Sequence, residues 1–153
     1  MILTTLVASL ALAQDPSPWV DQTFVIVASE RTFDAAMAKA GHIAVKSGIR
    51  LDFRGVGFDP AHVSENGGLT LSASECEGNG WDYPCYVPRG RWDSGAYLSI
   101  EYSSAVNGFT PGLYVVVAGT GARSELDAVL ARVRPVVPDA YLKTAEVYMG
   151  CMH

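Results

Sequence analysis

Two short, continuously apolar runs constrain this chain more than anything else in it. Phe24-Val-Ile-Val-Ala-Ser29 and Tyr114-Val-Val-Val-Ala-Gly119 are rich in β-branched residues. Such runs of four to eight read as strands buried on both faces. Each leads into a segment with helical spacing. After the first, Phe33, Met37, Ala40 and Ala44 repeat on one face to about Lys46. Ser29 or Thr32 supplies a cap, and Gly48 closes the helix. After the second, Ser124-x-x-Asp127 reads as a helix start, and Leu126, Val129, Leu130 and Val133 form the apolar stripe. Pro135 and Pro138 end it.

Each helix is followed by an outgoing strand. Ile49 to Arg54 alternates, with Ile49, Leu51 and Phe53 on one face. Tyr141 to Tyr148 alternates likewise, with Tyr141, Lys143, Ala145 and Val147 together. The chain thus carries a β-α-β unit twice. The expected fold is α+β, a ferredoxin-like doubled βαβ: a mainly antiparallel sheet with two helices on one face and the other face open. Residues 55–112 form an insertion between the halves. It carries a turn at Gly67-Gly68, a short strand at Leu69-Thr-Leu71, and a further alternating strand at Ala96 to Tyr102 that widens the sheet.

The doubled unit resembles the sporulation-related (SPOR) repeat domain of exported bacterial proteins that bind peptidoglycan. The resemblance rests on the two strand-to-helix stretches at 24–29 and 113–119, each with its helix, about half of the chain once its leader is set aside. It implies a ligand surface on the open sheet face, where Arg50 and Arg54 stand out from the apolar strand positions. The insertion lies outside the resemblance, and no glycan-contact motif is matched residue by residue.

The first 13 residues are uncharged and apolar and end Ala11-Leu12-Ala13, a small-x-small pattern. They read as a signal peptide, followed by a flexible lead-in at 14–22 and a single domain at 23–153. A membrane span needs about 20 apolar residues, and no run reaches that. The mean hydropathy of +0.17 comes almost entirely from this leader; without it the value is about zero, ordinary for a globular domain. Sixteen acids against 11 Lys and Arg give a net charge of -5, which argues against a nucleic-acid partner. The expected location is periplasmic or extracellular.

Of the three cysteines, Cys76 and Cys85 bracket the cheapest closure, around a loop rich in Gly, Asn and Pro. A bridge there would contribute about 2–3 kcal/mol. Three connectivities are open, and any of them leaves one thiol over.

The most suggestive chemistry is an aromatic and arginine cluster: Trp81, Tyr83, Tyr86, Arg89, Arg91, Trp92 and Tyr97. Aromatic faces stack on sugars, guanidinium groups hydrogen-bond hydroxyls, and the same residue types anchor protein partners. The alternative is that these rings are a satellite core. With Arg50 and Arg54, the candidate ligand residues are Trp81, Tyr83, Arg89, Arg91, Trp92 and Tyr97. Glu75, Glu77, Asn79, Gly80 and Asp82 echo a calcium loop, but Tyr86 stands where the closing Glu belongs, so a solvated acidic turn is expected. His42, His62 and His153 have no metal spacing. No Gly-x-Ser-x-Gly or phosphate loop occurs. Asp52 and Glu101 would pair only if their strands were neighbours. No metal, cofactor or catalytic set is expected. The sequence therefore points to an exported binding module rather than an enzyme. Its expected partner is a cell-wall glycan, or an envelope protein held by the Cys76–Cys85 loop and nearby aromatics.

Overall fold

The computed structural model describes residues 17–152. The expected leader and its cleavage site lie outside them. A four-stranded antiparallel sheet is built from β1 (Trp19–Glu30), β4 (Gly95–Tyr102), β5 (Tyr114–Gly121) and β6 (Tyr141–Tyr148) in the order β4-β5-β1-β6. The helix α1 (Phe33–Ser47) follows β1, and α3 (Arg123–Val133) follows β5. Between them, β2 (Gly57–Phe58) and β3 (Leu69–Thr70) form a two-stranded ribbon that leads into the short helix α2 (Ala73–Gly78). The class is α+β, as expected, and the two apolar runs occupy the two central strands.

Both helices lie on one face of the sheet. Val25, Val27, Leu98, Ile100, Val116 and Ala118 meet Ala36, Ala40 and Ile43 of α1 and Leu126, Val129, Leu130 and Val133 of α3. Each fully buried valine, leucine or isoleucine stabilises the fold by about 1.5–3 kcal/mol. Thr32 caps α1, its Oγ1 accepting from Ala35 N at 3.3 Å, and Gly48 ends it in the left-handed region at φ 69°. Arg132 ties the two helices, its guanidinium donating to the carbonyls of Ser47 and Gly48.

Four readings change. The lead-in is shorter, because Trp19 to Gln22 already pair with Tyr148 to Ala145. The helix α3 starts one residue before Ser124, with Ala122 at its cap and no side-chain bond there. Ile49 to Arg54 is not a sheet strand: Leu51 makes one isolated parallel bridge to Leu98. The chain then turns away, because Asp52 accepts the Arg54 N–H at 2.9 Å while Arg54 and Gly55 both take positive φ. Ala96 to Tyr102, read as an extension of the sheet, supplies that edge strand as β4.

The fourth change concerns the face opposite the helices, which is not open. Phe24, Ile26, Val115, Val117, Ala145 and Val147 form a second buried cluster there with Val106, packed against Phe109 and Leu113. The segment around Gly90 also crosses it. A Cβ at Gly90 would meet Phe24 Cζ at 3.2 Å and Val147 Cγ2 at 3.4 Å, and its φ is 101°. Only glycine allows that approach.

Candidate functional site

The insertion is fastened to the sheet by a buried polar network centred on Glu101, which β4 carries into the second face. Glu101 is 0% exposed. It accepts from Arg54 Nη2 at 2.9 Å on each oxygen, from Ser99 Oγ at 2.7 Å, and from the Arg89 N–H at 3.1 Å. The Tyr86 hydroxyl adds a further short bond. A carboxylate so deep is tolerated because both oxygens are met by charge-assisted donors.

Arg89 is also 0% exposed. The β4–β5 pairing is irregular between Ala96 and Ser99, which frees main-chain carbonyls that must find other donors. Arg89 supplies them. Its Nη1 donates to Tyr97 O at 2.7 Å, Val117 O at 3.1 Å and Ser99 Oγ at 3.1 Å, and its Nη2 to Gly95 O at 2.7 Å. The guanidinium stacks 3.4 Å from the Tyr97 ring centre. Burial lowers Arg89 to about 10, so it remains a cation at neutral pH. Burial, together with the Asp93 carboxylate that its hydroxyl faces, raises Tyr97 against the opposing charge of Arg89. Burial, followed by the neighbouring Glu101 charge, raises Tyr86 well above its ordinary value. Both phenols are neutral donors.

The candidate ligand residues therefore separate. Arg89 and Tyr97 are buried and serve the fold. Arg54 is mostly committed to Glu101 and lies 3.3 Å from Asp93. Asp52 and Glu101 do not pair directly; Arg54 lies between them, donating its N–H to one and its guanidinium to the other. Arg50 is exposed, ion-pairs with Asp52 and stands 5.2 Å from the Tyr97 ring centre. Its pairing holds Asp52 below the usual carboxylate range. Tyr83 is half exposed, donates to Asp59 at 2.7 Å and lines a shallow groove with Phe58 and Ser72. Thus Arg50 and Arg54 do not share an open sheet face.

Trp81, Arg91 and Trp92 do come together. With Arg54, Asn79 and Asp93, and an apolar floor of Val56, Leu71 and Val87, they line an open pocket of about 310 Å³. Three elements position them. The helix α2 and the Cys76–Cys85 disulfide hold Asn79 and Trp81. Trp81 Nε1 donates to Met152 O at 3.2 Å. Arg91 donates to the carbonyls of Tyr148, at 2.8 Å, and Gly150, pinning the segment after β6. Trp92 lies over Arg91, with the guanidinium 4.4 Å from its ring centre, and is 69% exposed. Among the pocket's lining residues it is the exposed large hydrophobic side chain.

The acidic stretch is not a calcium loop. Its first part is α2, where Ser72 and Glu75 form a reciprocal capping box. The Ser72 hydroxyl and N–H together hold Glu75 below its ordinary value. Ser72-x-x-Glu75 is itself the motif that would have revealed this helix. Cys151 is a free, exposed thiol. No helix of the described residues is long and apolar enough to cross a membrane.

No family model, curated protein or solved structure matches this chain.

Proposed function

We propose that the chain is an exported, non-enzymatic binding module whose ligand is a cell-envelope glycan, held in the Trp81–Arg91–Trp92 pocket. The observation that carries the reading is Trp92. A tryptophan 69% exposed, backed by a cation and sharing its pocket with a second indole, offers the flat apolar platform that sugar rings stack on. Asn79 supplies amide groups of the kind that bond hydroxyls, and the disulfide and the Glu101 network hold the pocket in shape before any ligand arrives. Export is supported by the apolar leader that ends Ala11-Leu12-Ala13 and by the disulfide, which persists in oxidising compartments. The SPOR likeness supports the same ligand class, although the surface it implies, the open sheet face, is here occupied by the chain itself.

The test is co-sedimentation with purified peptidoglycan sacculi. The wild-type chain is expected in the pellet, and Trp92→Ala in the supernatant. Equal sedimentation of both would remove the pocket from the reading. Absence of wild-type sedimentation, with capture of an envelope protein that depends on Trp92, would instead make the rim a protein anchor.

A further inference from the structure

We propose that this pocket recognises a carboxylate on its glycan, with Arg91 as the residue that reads the charge; this rests on the glycan reading above. Arg91 is only 9% exposed. Its two terminal nitrogens are spent on the neutral carbonyls of Tyr148 and Gly150. Its Nε is buried without a hydrogen-bond partner, as are those of Arg54 and Arg89. No acid forms an ion pair with it among the described residues; the same holds for Arg89, but Arg89 does not line the pocket, and Arg54, which does, has both Glu101 and Asp93. A buried cation without a counter-ion is costly, and a bound anion repays that cost.

Asp93 does not supply that anion. Its carboxylate accepts from the Tyr97 hydroxyl at 2.7 Å and the Gly90 N–H at 3.0 Å and faces Arg54. Its charge is already met, so it neither neutralises Arg91 nor strongly repels an incoming acid. The arrangement is a guanidinium under an exposed indole, with a second indole and apolar side chains lining the same pocket. That suits a ligand with a flat apolar face and an acid on its edge, as in a uronic acid or another carboxylated sugar. A plain acidic peptide has the charge but not the flat ring.

The experiment is calorimetric titration of the full chain with a galacturonic acid trisaccharide and with the neutral galactose trisaccharide of the same linkage. At 50 mM NaCl the acid is expected to bind at least tenfold tighter. At 500 mM NaCl a preference of about threefold or more is expected to persist, because a buried pair is screened less than exposed charges, a comparison that needs no variant. Arg91→Gln should abolish the preference, and Trp92→Ala should weaken both sugars. Equal binding of the two sugars by the wild type overturns the inference and leaves the glycan reading standing. Tighter binding of an Asp- and Glu-rich peptide than of either sugar also overturns it, in favour of a protein ligand. If neither sugar binds and sacculi do not retain the chain, the glycan reading beneath it falls as well.

Discussion

Arg89 tells most sharply whether the aromatic and arginine cluster serves a ligand or the fold. Replacing it with methionine removes four donations at once, to three main-chain carbonyls and the Ser99 hydroxyl. Arg89 is fully buried, so these acceptors do not face bulk solvent. Each orphaned buried carbonyl costs about 1–3 kcal/mol. Part of that is offset because a buried cation no longer has to be desolvated. The net expectation is a loss of about 3–5 kcal/mol, a large share of the 5–15 kcal/mol typical of a domain. With an m-value of about 2 kcal/mol per molar, urea unfolding under non-reducing conditions should show its midpoint fall by about 1.5–2.5 M. Arg89→Lys should recover little, because one ammonium cannot span acceptors arranged for a planar fork. An Arg89→Met midpoint within about 0.25 M of wild type, equivalent to the roughly 0.5 kcal/mol usual for surface substitutions, would refute the reasoning.

Trp92→Ala should leave the urea midpoint unchanged within that same range of about 0.5 kcal/mol while lowering glycan binding at least fivefold in a pull-down. Replacing Cys76 and Cys85 by serine opens a closure nine residues apart in sequence and should cost about 2.5 kcal/mol on the chain-entropy estimate, read as a lower thermal midpoint. Thr32→Ala removes the α1 cap and should cost about 1 kcal/mol in the same assay. Asp52, Asp59 and Glu75 are all held below their ordinary values of 3.8, 3.8 and 4.5. Their stabilisation is therefore complete above pH 4.5 and lost as pH falls through the lowered values. Urea midpoints measured from pH 6 down to pH 2 should decline below about pH 4, and less steeply in the triple amide variant.

The central strands were legible because a run such as Phe24 to Ala28 has no other stable home than the middle of a sheet. The capped helices and β6 were legible for the same kind of local reason. Ile49 to Arg54 was misread because alternation shows that a segment is extended, not that it has neighbours; its pairing ended where Asp52 turned the chain. The Glu101 network was not legible at all. Period-two alternation assigns Glu101 and Arg54 to solvent, and nothing within β4 announces that residues 86–93 fold back over it. Apart from Ser99, two positions away on the same strand, its partners lie 12 to 47 positions away, beyond any local pattern. The site was half legible: residue type singled out Trp81, Arg91 and Trp92, but only packing separates them from Arg89 and Tyr97, which have the same chemistry and the opposite role.

The chain's three tryptophans allow one direct measurement of the central claim. Trp81 and Trp92 line the pocket, while Trp19 packs edge-on against Tyr148 outside it. Indole N–H resonances should be followed by NMR as solubilised peptidoglycan strands are added. The account predicts that the Trp81 and Trp92 signals shift together and saturate at one binding constant, with Trp19 nearly still. Binding that leaves Trp92 unmoved, or that shifts Trp19 alone, would contradict it.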